Sequence, residues 1–282
     1  MYSRVYVEIT NICNMNCSFC HGHSRPARRM TEEEFAHIIG ELKGQTGYIY
    51  YHLMGEPLTH PDLPRFLTMA ADAGFRSVIT TNGSLLATRG QCLLDAAATG
   101  RLHKVSISIH SFEEGDDASF DCYFQKVAEF ADAAANAGAI VALRLWNRGC
   151  DGGRNERIVQ FLRAGFPGEW HENWKGMRMR DRLHLEWGDR FAWPDQNAPL
   201  VTDASGEAFC HGMLDHFGIL SDGTVVPCCL DSDGVIALGN VHDAPLSAIL
   251  SSPRACAIAD GFRCRRATED LCHRCGYARK FV

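Results

Sequence analysis

The 282-residue chain has the composition of an ordinary globular protein, with 46% hydrophobic and 22% charged residues. Its 34 acidic and 28 basic side chains leave a formal net charge of -6, which excludes a polybasic binder of nucleic acid or anionic membrane. No stretch approaches the roughly 18 to 20 apolar residues that cross a bilayer, and the start shows no signal-peptide pattern, so we expect a cytoplasmic protein.

Short segments typical of β-strands alternate with amphipathic helical segments through most of the chain. The predicted strands are 5–9, 47–54, 76–80, 105–110, 140–146 and 183–187. The predicted helices are 31–43, which starts with a Thr-Glu-Glu-Glu capping box, followed by 61–73, 85–98, 123–137 and 155–164. This alternation predicts an α/β fold with a parallel sheet and right-handed crossovers.

Polar residues occupy one face of several predicted strands. They are Glu8 on the first strand, Ser106, Ser108 and His110 on the fourth, Arg144 and Trp146 on the fifth, and His184 and Glu186 on the sixth. A closed eight-stranded barrel fills its centre with branched apolar side chains, so these polar faces predict a lumen around a large polar ligand. The alternative, a sheet with one solvated face, is disfavoured because helices cover a parallel sheet. We therefore predict a partial, open (β/α)6 TIM-like barrel.

A change in composition divides the chain after the sixth strand, where prolines, asparagine and glycine form a run typical of a linker. We predict a barrel domain over 1–190, a linker over 191–205 and a small cysteine-rich domain over 206–282. In the last domain, 217–220 and 224–228 are predicted to form a β-hairpin around a three-residue turn that ends at Gly223. A short helix is predicted over 245–250.

Cysteine is the most informative residue type, since 13 occur in a chain without an export signal. A disulfide framework is not expected in such a chain, which leaves metal ligation or thiol chemistry. Cys13, Cys17 and Cys20 form a CxxxCxxC loop directly after the first strand, at the sheet edge where α/β proteins bind ligands. Structural zinc takes four ligands, whereas a four-iron cluster held by three cysteines leaves one iron open. A zinc site with His21 or His23 as fourth ligand is the alternative.

A second group of cysteines occupies the C-terminal part of the chain. Its members are Cys210, Cys228, Cys272 and Cys275, with twelve residues between Cys210 and Gly223 and four residues between Gly223 and Cys228. The hairpin around the glycine would bring two of these thiols together, and the CxxC pair would complete a four-thiolate cage. A four-cysteine zinc ribbon is the alternative.

Six cysteines stand outside these two groups: Cys92, Cys122, Cys150, Cys229, Cys256 and Cys264. We expect most of them to be buried structural thiols. Cys229 and Cys264 lie near the second group in sequence, and either could replace one of its ligands.

The CxxxCxxC loop resembles the cluster-binding loop of the radical S-adenosylmethionine (SAM) superfamily, and further residues match that family at strand ends. After the second strand, Gly55-Glu56-Pro57 resembles the family's motif for the SAM amino group. After the third, the Thr-Asn-Gly turn around Asn82 resembles its polar turn in contact with SAM. The resemblance implies that the three cysteines of the loop hold a 4Fe-4S cluster that binds SAM.

Three other positions match the family's SAM contacts. Phe19 matches the aromatic residue whose backbone meets adenine. Ser108 on the fourth strand and Arg144 on the fifth match positions that usually hold the ribose or the methionine carboxylate. The implied activity is reductive cleavage of SAM to a 5'-deoxyadenosyl radical, which abstracts hydrogen from a substrate carbon. A reductant such as flavodoxin or ferredoxin is the implied partner.

The second cysteine group resembles the C-terminal SPASM and twitch extensions of radical SAM enzymes, in the short form with one auxiliary 4Fe-4S cluster. Four cysteine ligands leave no open iron, so electron transfer is the expected role of that cluster. This favours an oxidoreductase that performs a two-electron oxidation, a dehydrogenation, with the auxiliary cluster as electron acceptor.

The substrate is open between a small molecule and a ribosomally made peptide, which a maturase would cross-link or epimerise. Many peptide maturases begin with a leader-binding domain, whereas the first predicted strand here begins at Val5. We therefore favour a small molecule. Strand parity selects candidates for the substrate pocket, namely His52, His110, Trp146, His184 and Glu186. The alternative for each is a packed, hydrogen-bonded core residue.

Two features fall outside this interpretation. The segment 166–191 is rich in tryptophan and methionine, and we expect these residues to be core rather than a cap over the substrate at the barrel mouth. Residues 261–282 carry six basic against two acidic side chains, which suggests the non-catalytic alternative of an iron-sulfur or zinc protein that binds nucleic acid. The acidic chain as a whole and the few aromatic residues in this tail disfavour that alternative.

Overall fold

The computed structural model describes residues 1–113, 115–202 and 206–278, and this part contains eleven β-strands and nine α-helices. The strands are β1 (Arg4–Val7), β2 (Tyr48–Tyr50), β3 (Arg76–Thr81), β4 (Leu102–Ile107), β5 (Ile140–Arg148), β6 (His171–Asn173), β7 (Gly176–Arg180), β8 (Leu183–Asp189), β9 (His216–Ile219), β10 (Thr224–Val226) and β11 (Gly239–Asn240). The helices are α1 (Glu32–Glu41), α2 (Leu63–Asp72), α3 (Leu86–Arg89), α4 (Gln91–Ala98), α5 (Asp117–Asn136), α6 (Arg154–Gly165), α7 (Leu246–Leu250), α8 (Pro253–Arg263) and α9 (Asp270–His273).

All of these strands join one sheet in the order β11-β10-β9-β1-β2-β3-β4-β5-β8-β7-β6. The central strands β1, β2, β3, β4, β5 and β8 pair parallel to one another, and helices connect the first five of them in sequence. These are the six strands predicted for the barrel. The α/β class and the partial (β/α)6 barrel are therefore confirmed.

The two faces of the central strands differ in the way the alternation predicts. Val5, Ile49, Val105 and Leu143 are fully buried in the core under the helices. Their neighbours on the opposite face are the polar residues of the lumen. In α1 and α2, Phe35 and Phe66 stack with ring centroids 4.4 Å apart, which fixes this pair of helices over the strands.

Helix ends depart from the prediction where capping residues decide them. The helix expected over 85–98 forms as two helices, α3 and α4, because the helical hydrogen bonding is interrupted at Gly90. The helix expected from 123 starts at Asp117, since the Asp116 side chain accepts a hydrogen bond from the Ser119 amide at its N-terminus. Strand β4 ends at Ile107, and His110 lies in a 3-10 turn rather than on the strand.

The segment 166–191 forms an antiparallel meander of β6, β7 and β8 at one end of the sheet. Trp170 and Met179 are buried, as expected for core residues. Trp174 is 89% exposed in the turn between β6 and β7, so the prediction of core is wrong for this residue. The edge strand β6 has polar residues on both faces, which leaves that turn without an apolar surface to cover.

The C-terminal part continues the barrel sheet. Strand β9 pairs parallel with β1, with Arg4 opposite His216 and Val7 opposite Ile219, and β10 pairs antiparallel with β9. The predicted hairpin is confirmed, and Gly223 adopts the left-handed conformation at the end of its turn, with φ of 88°. The division of the chain at 191–205 stays a prediction.

Among the described residues, no helix combines the length and apolar character needed to cross a membrane.

Candidate active site and two thiol clusters

The CxxxCxxC loop lies between β1 and α1 in irregular backbone. The Cys20 thiol lies close enough to Cys13 and Cys17 for its charge to act on both. Burial, together with negative charge on Glu113, Cys13 and Cys20, raises the pKa of Cys17 to about 11. Burial also raises the pKa of Cys13, with contributions from Glu56 and Cys20. Thiols in this setting ionise readily only when a cation compensates their charge, as in metal binding.

The loop after β2 holds the start of the cysteine loop through its backbone. The Glu56 amide donates to the Ile12 carbonyl at 2.9 Å, and the Thr59 hydroxyl donates to the same carbonyl at 3.1 Å. Gly55 has φ of 77°, and a Cβ atom there would lie 2.3 Å from the Thr10 carbonyl oxygen. Glycine is therefore required for the two loops to approach this closely.

We expect Gly55→Ala to destabilise the protein by about 2 to 5 kcal/mol, because it adds a left-handed alanine to a backbone clash. Gly44→Ala is the matched control, since Gly44 has φ of 79° with no atom within 4 Å of a built Cβ. That variant should cost only about 1 to 2 kcal/mol. Denaturant unfolding measures both values, and equal losses would contradict the close contact between the loops.

The Glu56 carboxylate joins the loops that follow β2 and β3. One oxygen accepts from the Leu58 amide at 3.1 Å and the other from the Asn82 amide at 2.7 Å. The side chain is 1% exposed, and burial raises its pKa to about 6 although these hydrogen bonds oppose the shift. Both oxygens thus have backbone partners, and the contact of Glu56 with the SAM amino group stays a prediction.

This raised pKa predicts a pH dependence of stability. The folded protein holds the Glu56 proton more tightly than the unfolded chain does, so this group adds stability as the pH falls from about 6 to 4.5. Glu56→Gln lacks that gain. The free energy of unfolding of iron-free Glu56→Gln, relative to wild type, should therefore fall by up to about 2 kcal/mol over this interval. The same substitution at the exposed Glu172 is the control and should not reproduce this trend. An equal trend in both variants would show that the pH dependence does not come from the burial of Glu56.

Asn82 contacts the cysteine loop directly. Its side-chain nitrogen donates to Asn14 at 3.1 Å and lies 3.9 Å from the Cys13 sulfur, while its side-chain oxygen accepts from the Ser84 amide. Tyr123 fixes the turn from the other side by donating its hydroxyl to the Asn82 carbonyl at 2.6 Å. The structure thus brings Gly55, Glu56 and Asn82 around the loop, as the strand-end positions predict.

Phe19 has a neighbour that sequence reasoning missed. The Trp193 indole donates to the Phe19 carbonyl at 2.9 Å, and the Phe19 ring lies 4.7 Å from His110. Arg190 donates to the Ser18 hydroxyl at 3.2 Å. Residues 190–193 therefore cover the cysteine loop, and nothing in their sequence signals this contact. Ser108 lies half-buried at the end of β4, beside the same turn as His110.

The lumen gathers most of the predicted pocket residues. The Arg144 guanidinium lies 3.4 Å from the Trp146 ring centroid, and Glu186 forms an ion pair with Lys104 at 2.8 Å. His52 lies just beyond β2 and packs edge-on against Tyr6. His184 is half-buried on the same face as Glu186. His110 differs, because its ring turns towards Phe19 and bonds the Arg144 carbonyl at 2.8 Å.

The second cysteine group also comes together. Cys210 and Cys228 both border Gly212, whose amide donates to the Cys210 sulfur at 3.4 Å. Burial raises the pKa of Cys228 well above its ordinary value, and the charges of Cys210, Cys272 and Cys275 add to the shift, as does that of the fifth thiol, Cys229. Cys229 packs against a cluster of side chains that includes Tyr6 of β1.

The remaining cysteines depart from expectation. Cys122, Cys150, Cys256 and Cys264 are exposed, so the prediction that most are buried is wrong. They lie on solvent-facing positions of helices or in loops, where the apolar pattern of the chain gives no reason to bury them. All 13 thiols are free.

The donor sets fit iron-sulfur clusters. Each set consists of thiols alone, and each includes a thiol, Cys17 or Cys228, whose pKa burial raises and whose ionisation metal binding would favour. Among the described residues, no three cysteine, histidine or acidic side chains converge on one ion-sized point. A 4Fe-4S cluster takes its cysteine ligands at separate irons, so such convergence is not required.

Comparison with known families decides the identity of the first site. The family model of the Radical SAM superfamily matches residues 7–147. The chain belongs to the radical SAM superfamily. An iron-sulfur cluster-binding domain, SPASM, matches residues 210–276 of this radical SAM enzyme. The family and the cofactors are therefore as predicted: SAM, its 4Fe-4S cluster and an auxiliary iron-sulfur cluster.

Curated relatives of this radical SAM enzyme differ in their reactions. An AdoMet-dependent heme synthase of Methanosarcina barkeri is 39% identical over 113 residues, which cover 39% of this chain and 32% of that protein. The match thus spans about a third of the length of the heme synthase. A probable GTP 3',8-cyclase of Methanocella arvoryzae is 24% identical over 279 residues, which cover 88% of each chain.

Solved structures share the fold over nearly the whole chain. A structure of BtrN in complex with AdoMet and 2-DOIA has a TM-score of 0.59 and 18% identity, and covers 98% of this chain and 93% of that one. A structure of anSMEcpe with bound AdoMet has a TM-score of 0.62 and 14% identity, and covers 99% of this chain and 91% of that one.

Proposed function

We propose that this radical SAM enzyme performs the two-electron oxidation of a small molecule. Cys13, Cys17 and Cys20 hold the cluster that binds SAM, and the second cysteine group holds an auxiliary cluster that accepts an electron. With its cluster and SAM bound, the first site supplies a 5'-deoxyadenosyl radical able to remove hydrogen from a substrate carbon. A flavodoxin or ferredoxin supplies the electron for that step.

The position of the second thiol cluster carries this proposal. Cys228 belongs to the cluster, and the next residue, Cys229, contacts Tyr6 on β1. Strand β9 reaches the same region by pairing with β1. Four thiols fill the ligand positions of a cluster, which leaves electron transfer as its function. The auxiliary cluster would thus be held by a residue, Cys228, whose neighbour Cys229 lies at the lumen wall. An electron acceptor in that position suits a reaction that removes an electron from a substrate in the lumen.

The lumen residues position the substrate and limit water. Trp146 and Tyr6 supply aromatic walls, and the ion pair of Lys104 with Glu186 fixes one side. Burial, together with the charges of Arg144 and Arg4, lowers the pKa of His52 to about 3, so this imidazole is neutral at physiological pH. A neutral His52 can hydrogen-bond a substrate hydroxyl or amine and hold it in a fixed orientation.

The test is anaerobic reconstitution of the full chain, followed by iron analysis and chromatography after addition of SAM and dithionite. We expect about eight irons per chain and release of 5'-deoxyadenosine. About four irons together with release of 5'-deoxyadenosine would show that the auxiliary cluster is absent. The proposed electron acceptor, and the argument for oxidation, would then be lost. No release at full loading would contradict the enzymatic proposal. A reaction with a peptide and no small molecule would favour the maturase alternative.

A further inference from the structure

Glu113 holds the cysteine loop between its second and third thiols. The Ser18 amide donates to one Glu113 carboxylate oxygen at 2.5 Å, and the Ser18 hydroxyl donates to the other. Ser18 follows Cys17 directly, so the carboxylate lies beside the backbone that joins Cys17 to Cys20. Glu113 therefore places a negative charge next to the loop without being one of its thiols.

Arg190 reaches the same serine from the residues that follow β8. Its guanidinium donates to the Ser18 hydroxyl at 3.2 Å and lies 3.7 Å from the Glu113 carboxylate. The guanidinium carbon also lies 5.7 Å from the centroid of the Phe19 ring. One acidic and one basic side chain thus meet at the loop, and their effects on a charged group there are opposite in sign.

Neighbouring contacts fix both of these side chains at the loop. Phe112, just before the glutamate, stacks on Tyr123 with ring centroids 5.0 Å apart. Three residues after the arginine, the Trp193 indole donates to the Phe19 carbonyl at 2.9 Å. An ion pair whose chain segments are already held in place loses less conformational entropy than a free surface pair. The pair is therefore a built part of the site.

The two charges are not equally shielded from water. The Glu113 side chain is 23% exposed, whereas that of Arg190 is 39% exposed. Water and salt screen the arginine more strongly, so the glutamate has the larger effect on a neighbouring charge. His110, whose ring lies 4.7 Å from that of Phe19, adds no charge at physiological pH, because burial lowers its pKa to about 4. The pair therefore has a net negative influence on the loop.

We propose that the ion pair of Glu113 with Arg190 sets the reduction potential of the cluster held by the CxxxCxxC loop, with Glu113 lowering it and Arg190 raising it. Reduction adds one electron to the cluster, and the reduced flavodoxin or ferredoxin loses that electron. A carboxylate beside the loop disfavours the added charge. Glu113 also engages the Ser18 amide, which is then not available to donate to a cluster sulfur and stabilise the reduced state.

A lower potential makes the reduced cluster a stronger electron donor to SAM. Glu113 and Arg190 act through the loop, so they are positioning residues and not ligands. This inference rests on the proposed function, since it concerns the cluster that the proposed function requires.

The test is a potentiometric titration of the reconstituted protein, followed by electron paramagnetic resonance. The signal that changes when SAM is added belongs to the cluster of the CxxxCxxC loop, and the auxiliary cluster is the internal reference. At a fixed potential, we expect Glu113→Gln to raise the ratio of reduced to oxidised loop cluster about tenfold, a shift of about +59 mV. Arg190→Gln should lower the same ratio about threefold, because it removes the more strongly screened charge.

The matched controls are Asp132→Asn and Arg180→Gln. These two residues form an ion pair of similar exposure between α5 and β7. Arg180 lies opposite Leu183 at the start of β8, whereas the cysteine loop follows the carboxyl end of β1, at the other edge of the parallel strands. Neither control should change the ratio for either cluster.

Three results would overturn this inference. Both variants of the pair shift the loop cluster in the same direction, neither shifts it, or the auxiliary cluster shifts as much as the loop cluster. A purely structural role would disturb the loop in both variants and would not reverse the sign. If Glu113→Gln does not hold iron, Arg190→Gln remains decisive, since an unchanged or raised ratio in that variant contradicts the proposal.

The outcomes separate this inference from the proposed function. Release of 5'-deoxyadenosine together with unshifted potentials in both variants would contradict the role of the ion pair and leave the radical chemistry standing. Opposite shifts in the two variants, without release by wild type, would contradict the proposed function and leave the role of the ion pair standing.

Discussion

Replacing Cys13, Cys17 and Cys20 together by alanine should abolish SAM cleavage and remove about four of about eight irons per chain. The three thiols lie on one loop between β1 and α1, whereas the other group comes from the C-terminal part. The loop is held by the backbone of Ile12 and by Asn82, and not by its own thiols. The variant should therefore fold and keep the auxiliary cluster.

A triple variant of exposed thiols, Cys122, Cys150 and Cys256 to alanine, controls for the number of cysteines removed. It should keep full iron loading and full release of 5'-deoxyadenosine. Iron and sulfide analysis, with electron paramagnetic resonance of the dithionite-reduced protein, separates the two clusters. Retained SAM cleavage in the first variant, or loss of all iron from it, would show that the assignment of this loop is wrong.

The barrel could be predicted because its signals are local. β1, β4, β5 and β8 have apolar residues at every second position, and a segment of helical periodicity follows each of the first five central strands, so the order of those strands follows from chain order. The capping box of α1 is equally local, and the structure shows both of its hydrogen bonds between Thr31 and Glu34. Other caps were not identified: α5 starts at Asp117 after its cap Asp116, six residues before the predicted start at 123.

Contacts between distant parts of the chain could not be predicted in the same way. The pairing of β9 with β1 joins residues more than 200 positions apart, as Arg4 opposite His216 shows. The hairpin pattern of β9 and β10 says only that these two strands pair with each other. Strand β6 is short and polar, so it lacks the alternation that identifies a half-buried strand. Strand β7 alternates methionine with arginine, but only over five residues.

The candidate site also combines features that local sequence predicts with contacts between distant parts of the chain. Cysteine spacing predicted the CxxxCxxC loop and the CxxC pair, because ligands close in sequence lie close in space. The grouping of Cys210 and Cys228 with that pair came from the hairpin pattern and from the resemblance to SPASM and twitch extensions. The hydrogen bond from Trp193 to Phe19 and the contact of Cys229 with Tyr6 depend on how the chain folds back, and no spacing reveals them.

Replacing Cys272 and Cys275 by alanine should remove the auxiliary cluster and leave the cluster of the CxxxCxxC loop in place. These residues lie at the end of α9 and just after it, and the charges of both act on the buried Cys228. Their loss leaves two of four ligands, which is too few to hold a cluster. We expect about four irons to remain, together with release of 5'-deoxyadenosine in the absence of substrate.

Substrate oxidation should nevertheless be lost in this variant, because the electron left on the substrate has no acceptor. The matched control is Cys256→Ala with Cys122→Ala, which removes two exposed thiols that belong to neither group. Unchanged iron in the Cys272 and Cys275 variant would show that these residues are not ligands. A further loss of iron on adding Cys229→Ala would identify the fifth thiol as a replacement ligand, and its position beside Tyr6 would then place the cluster at the lumen wall itself.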